Sequence, residues 1–354
     1  MAQPQALDDI SSLAWEHPLD AAALQSLRRI PGFDLALRRV FGLIAERTIR
    51  LMYLGSAVEV GPDQYPRIHD IYTEVLNTLD APERYQLFIS QSPIVNAGAI
   101  GMDKPFIVLQ SGLVKLMDDN ELRYVIGHEL GHIMSGHVLY KTMLSLLLRL
   151  GRLAWSNPLS GLAWLGVMAG LMEWDRKSEL SADRAGLLAV QDPAEVRRAL
   201  LMMAGGMEEG ASVEAFQEQA RRYEEDGDAL DSVAKTLSLL GQTHPFPVQR
   251  LKELDRWIES GSLESILEGD YPRRQDDPHD RPTTWSLWRE SMGGYADGVK
   301  TTTEPVTTWV KGVGQTAAQT AGAVWGKLKG RSGDSEAQEE WGQEDETKED
   351  DGAN

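Results

Sequence analysis

The spacing of apolar positions changes twice along the chain. Before about residue 78 it is helical: Leu24, Leu27 and Ile30 recur, then Leu35, Leu37, Val40, Phe41 and Ile44. Pro31-Gly32 separates two helices there, and residues 1–69 read as a helical N-terminal region. The period then shortens. Residues 85–90 (YQLFIS) and 105–110 (PFIVLQ) are strand-like runs punctuated by Pro93, Gly98, Gly101 and Pro105, which predicts a small sheet. Helical spacing returns at Leu113. Asp118, Asp119 and Asn120 are suitable N-caps for a helix that starts near Glu121 and runs through Val125, Ile126, Leu130 and Ile133.

Residues 142–172 are strongly apolar and are divided by Asn157-Pro158. A spanning helix needs ~20 continuous apolar residues. Arg149 and Arg152 interrupt the first half, and Ser156-Asn157-Pro158 falls inside the uncharged window that follows. The expectation is a helical hairpin folded over the domain or dipping into a membrane surface. An amphipathic helix is expected to resume over 173–190. More helices follow at 193–203, 213–225, 229–240 and 248–258. The ordered body should end near Tyr271. Beyond it Val306, Trp309, Val310, Val313, Ala317, Ala321, Val324, Trp325 and Leu328 keep helical spacing, flanked by Lys311, Lys327, Lys329 and Arg331. This suits an amphipathic helix over 306–328 that lies on a membrane or a partner. The predicted fold class is α+β: mainly α with a small β-sheet, centred on residues 70–270 and followed by a flexible acidic tail, 271–354.

Composition narrows the function. Of 354 residues, 42% are hydrophobic and 25% charged, the balance of a globular protein. The net charge of -19 argues against nucleic acid as a partner, since phosphate contacts need a clustered basic surface. Residues 334–351 concentrate the acids and read as a solvated tail. There is no cysteine, which removes disulfides, thiol catalysis and thiolate-bound zinc. Any zinc must be held by nitrogen and oxygen. The first thirty residues have neither the basic start nor the apolar run of a secretory signal. The expected location is therefore cytoplasmic, with peripheral membrane contact left open by the apolar segments.

The chemistry is concentrated at His128-Glu129-Leu130-Gly131-His132. On a helix, positions i and i+4 share a face, so two imidazoles can reach one Zn²⁺. The Glu between them lies beside the ion and can take a proton from the attacking water. Gly131 leaves room near the metal. A catalytic zinc needs a third protein ligand and an open position. His137 lies off the shared face and is read as a supporting or surface residue. Glu179 opens a Glu179-Leu180-Ser181-Ala182-Asp183 run. There the i and i+4 carboxylates could divide the work, one on the metal and one orienting a ligand histidine. His244, before Pro245, is the third candidate; taken alone it reads as part of a turn before a helix.

Together these residues resemble the M48 metallopeptidases, the class that includes the membrane CAAX-processing proteases and the bacterial heat-shock protease of the inner membrane. The pattern is H-E-x-x-H, an apolar stretch, E-x-x-x-D and then H-P-x-x-x-x-R. Here it appears as His128 to His132, residues 142–172, Glu179 to Asp183, and His244 to Arg250. The Asn96-Ala97 pair resembles the family's substrate-side edge strand. The similarity covers about residues 70–260. It implies a gluzincin-like domain with one Zn²⁺ per chain on His128, His132 and Glu179, and with Glu129 as general base. Asp183 would support the ligands and Arg250 would anchor the loop of His244. His244 would face the metal, stabilising the oxyanion or closing the site. The implied activity is that of an endopeptidase acting on unfolded or extended polypeptide. The rival is a non-catalytic, zinc-stabilised binding or chaperone-like module with His244 as permanent fourth ligand. The larger members carry spanning helices that this chain lacks, so it is more similar to a small soluble or membrane-associated branch.

Overall fold

The computed structural model describes residues 4–29, 46–150, 158–205, 210–225 and 246–276. Pro31-Gly32, the turn of the expected hairpin, the helix expected at 229–240, His244, the acidic tail and the 306–328 segment all lie outside the described residues. The helices are α1 (Pro18–Arg28), α2 (Glu46–Ser56), α3 (Pro66–Thr78), α4 (Ser111–Leu116), α5 (Asp119–Met134), α6 (Val138–Leu150), α7 (Pro158–Val190), α8 (Pro193–Gly205), α9 (Val213–Glu225), α10 (Pro247–Glu259) and α11 (Ser262–Leu267). The strands are β1 (Val58–Glu59), β2 (Gln86–Ser90), β3 (Ala97–Ile100) and β4 (Phe106–Gln110).

The class is α+β, as the periodicity predicted. The sheet runs β1-β2-β4-β3. β2 and β4 pair in parallel, with Phe88 opposite Val108, while β1 and β3 pair antiparallel to β2 and β4 respectively. Alternation decides what each face buries. Leu87, Ile89, Ile107 and Leu109 join the main core with Ile71, Val75, Val125 and Ile126 of the helices. Phe88, Phe106 and Val108 point the other way and pack beneath Ile49 and Tyr53 of α2. β3 is left as one edge of the sheet. Gln110 N–H donates to the Asn96 carbonyl at 3.0 Å. Continuing the antiparallel alternation, Gly98 and Ile100 bond to β4, while the backbone groups of Ala97 and Ala99 turn outward.

α5 is the buried axis. Asp118 caps it: its carboxylate accepts from the Asn120 and Glu121 N–H groups, and Glu121 reaches back to the Asp118 N–H. This capping box starts the helix two residues before the expected Glu121. From Tyr124 to Ile133 every residue is buried, so the helix cannot be read as a solvated face. It packs along α7, and here the reading of Gly131 needs correction. A Cβ at Gly131 would overlap Ala185, and one at Gly127 would overlap Ala189. The room left by Gly131 is filled by α7 and not by a metal.

α7 also differs from expectation. No break falls near residue 172; one helix runs for 33 residues from Pro158 to Val190. Pro158 is tolerated at the first helical position, and no later proline interrupts the run. Leu171 and Trp174 of α7 pack with Met143, Leu144 and Leu147 of α6 and with Leu27 of α1. Among the described residues no helix is long and apolar enough to cross a membrane. The N-terminal segment belongs to the same core: Leu7, Ile10 and Trp15 are fully buried, Ile10 bridges Arg273, and α1 lies on α7.

Candidate metal centre

α5 and α7 bring three groups to one point. His128 and His132 project one turn apart on α5, with ring centroids 4.8 Å apart. Glu179 enters from α7. Its Oε2 lies 3.5 Å from His128 Nε2, and its Oε1 lies 3.2 Å from His132 Nε2. One nitrogen or oxygen from each of the three falls within 4.8 Å of the others, and all three residues are buried.

The outer sides of both rings are occupied, which turns both Nε2 atoms inward. His128 Nδ1 is 2.9 Å from Asp183 Oδ1. That carboxylate also accepts from Tyr124 Oη at 2.7 Å and takes a two-pronged Arg250, with Nε to Oδ2 at 2.9 Å and Nη2 to Oδ1 at 2.5 Å. Burial alone would raise the pKa of Asp183, but Arg250 and His128 outweigh it and hold the carboxyl well below the usual range. Arg250 comes from the first turn of α10, which starts at Pro247. His132 Nδ1 is 3.0 Å from His137 Nδ1. His137 is buried, not a surface residue.

Electrostatics separates the two imidazoles. Burial opposes a proton on His128, yet Asp183 and Glu179 outweigh it and raise its pKa to about 9. Burial and nearby Lys141 push His132 well below its ordinary value, which keeps it neutral as a ligand must be. Glu129 is also raised, chiefly by burial. It accepts a hydrogen bond from the Ala99 N–H of the edge strand. Its Oε2 is buried with no hydrogen-bond partner among the described residues.

Such an atom points to a ligand, because buried polar groups are otherwise satisfied. The converging donors are two imidazole nitrogens and a carboxylate oxygen, without thiolate. This set matches a catalytic zinc site with an open position. The geometry therefore fits a divalent metal.

Of the residues singled out in the sequence, His128, Glu129, His132, Glu179, Asp183 and Arg250 meet here. Asn96 and Ala97 sit at the start of β3, where Asn96 Oδ1 accepts from the Ala97 N–H at 2.9 Å. His244 lies outside the described residues. Three contributors were missed. Lys141 Nζ reaches Glu179 Oε1 at 2.6 Å and Asp175 Oδ1 at 2.8 Å. A lysine within the apolar α6 was a usable signal. Tyr124, one turn before His128, was read only as part of a helix. Asp20 contacts His137 from α1, and nothing in the sequence marked it.

Comparison with known proteins agrees with this geometry. The model of the family described as "Peptidase family M48" matches residues 62–258. The chain is 33% identical over 271 residues to the "Plastoglobule-localized metallopeptidase 48, chloroplastic" of Arabidopsis thaliana, covering 75% of this chain and 78% of that protein. It is 27% identical over 244 residues to a "Protease HtpX homolog" of Kineococcus radiotolerans, covering 66% and 78%. It is 26% identical over 245 residues to "Protease HtpX homolog 1" of Streptomyces coelicolor, covering 61% and 79%. No solved structure matches. The cytoplasmic expectation gains no support from these names, one of which places its bearer in plastoglobules. The chain belongs to peptidase family M48 and is a metalloprotease.

Proposed function

We propose that the chain is a zinc-dependent endopeptidase for unfolded or extended polypeptide. His128, His132 and Glu179 hold one Zn²⁺, Asp183 with Arg250 orients His128, and residues 70–270 form the peptidase domain. The observation that carries this reading is the convergence of the three donors within 4.8 Å beside the unpartnered Glu129 oxygen. When bound, zinc would polarise the scissile carbonyl and make the attacking water more acidic.

The remaining work falls to the chain's own groups. Glu129 takes the proton from water and later gives it to the leaving amine. Its raised pKa brings it closer to neutrality, where such a base works best. The outward Ala97 carbonyl offers an acceptor to an extended substrate, which would add a strand to the sheet edge. Main-chain pairing of this kind favours unfolded segments over particular side chains. Asn96 shapes that edge by holding the Ala97 N–H. His244 would stabilise the oxyanion.

The test is cleavage of unfolded casein and of a stable folded protein by the purified full chain. Casein should be cut, the folded protein spared, and chelator should stop the reaction until zinc returns. Equal cutting with and without chelator would refute the zinc-dependent reading, and equal cutting of both proteins would refute the substrate class.

A further inference from the structure

We propose that Asp20, on α1, fixes the orientation of His132 through His137, so that the N-terminal helix sets the metal affinity of the site. This rests on the reading that His132 binds the metal through Nε2.

Proton bookkeeping gives the relay a single direction. A neutral imidazole that offers Nε2 to a metal carries its proton on Nδ1. His132 Nδ1–H then donates to His137 Nδ1, 3.0 Å away. That atom must be an unprotonated acceptor, so the His137 proton sits on Nε2. His137 Nε2 lies 3.0 Å from Asp20 Oδ2 and donates to it. Each bond dictates the next, and the only acceptor that ends the chain without a choice of tautomer is the carboxylate.

Asp20 is built for this. It is 1% exposed, and three donors hold it in place. Ser181 Oγ donates to Oδ2 at 2.6 Å and Trp174 Nε1 to Oδ1 at 3.0 Å, alongside His137. His17 N–H in turn donates to Ser181 Oγ at 2.9 Å, tying α1 to α7 at the same point. The His137 ring stands edge-on between Trp174 and His132, with centroids at 5.6 and 5.3 Å. Packing thus allows little rotation, and the hydrogen bonds select the tautomer.

The two histidine ligands therefore differ in their support. His128 meets its carboxylate directly, and Asp183 lies within the family-matched residues 62–258. His132 reaches a carboxylate only through a second imidazole, and Asp20 lies outside that span. Without Asp20, His137 is free to carry its proton on Nδ1. Two N–H groups would then oppose each other and turn His132 off its axis.

The experiment measures zinc affinity of the full chain by chelator competition for wild type, Asp20→Asn, His137→Phe, the double variant and Trp174→Phe. Loss of such outer support weakens binding about 10- to 100-fold. Asp20→Asn and His137→Phe should each fall in that range, and the double variant should be no weaker than the worse single one. Trp174→Phe removes one of the three donors to Asp20 but leaves the His132–His137 and His137–Asp20 bonds themselves in place, so its loss should stay below about tenfold. Nitrogen-proton NMR of zinc-loaded wild type needs no variant to fold and should place the His137 proton on Nε2. A proton on His137 Nδ1, an Asp20→Asn loss below about tenfold, or multiplied losses in the double variant would overturn the relay while leaving the metal site standing. Equal weakening by Trp174→Phe would do the same. A wild-type chain that binds no zinc would instead remove the underlying metal-site reading.

Discussion

Glu129 and Asp183 both lie in the buried centre, yet burial acts on them with opposite outcomes. Glu129 has no cation bonded to it among the described residues, and its pKa rises. Asp183 has Arg250, and its pKa falls. Glu129→Gln keeps the shape but removes the base. It should lower peptide hydrolysis by about 100-fold or more while metal content is unchanged, read by turnover beside elemental analysis. For Asp183 the folded value lies below the unfolded one of about 3.9, so its stabilisation is complete above that pH and is lost as the pH falls further. In chelator, the urea midpoint of wild type should drop between about pH 4 and pH 2, and Asp183→Asn should flatten that drop. The histidine pair was legible because helical i, i+4 spacing puts both rings on one face, and Glu129 because it stands next to that face. Glu179 and Asp183 could be read as a pair, but their partner helix could not. Lys141, Tyr124 and Asp20 act across elements, and local spacing carries no trace of that.

The site exists because α5 and α7 approach closely. Gly127 and Gly131 face Ala189 and Ala185, and this absence of side chains lets Glu179 and Asp183 of α7 reach the histidines. Gly127→Val should overpack the seam and lower stability by about 2 kcal/mol or more, read as a fall in the urea midpoint. Periodicity located the start of α5, the end of α7 and both long strands to within two residues. It did not show that α7 is continuous, because an apolar half followed by an amphipathic half reads as two segments. The change marks a difference in surroundings. The upper part packs on α6 and α1, and the lower part lies in the central core. The edge position of β3 was suggested only by resemblance, since four residues of Ala, Gly and Ile carry little strand signal of their own.

At the scale of the molecule, the N-terminal segment is part of the core. Trp15 is fully buried and its Nε1 donates to Ser135 Oγ at 3.0 Å, just past the end of α5. Trp15→Ala should cost about 3–5 kcal/mol of stability, measured by denaturant unfolding with chelator present. Composition and charge excluded whole classes of chemistry, but they could not show how residues 4–29 return to the end of α11 and the strand-like contact at Arg273. The central claim is that Glu179 completes a metal site formed by His128 and His132. Metal content and peptidase activity of wild type and Glu179→Ala, measured side by side on zinc-loaded and desalted protein, address it most directly. The account predicts about one zinc per wild-type chain and, in the variant, loss of most of the metal together with the activity. A Glu179→Ala protein that keeps its full zinc complement and still cuts peptide would contradict it.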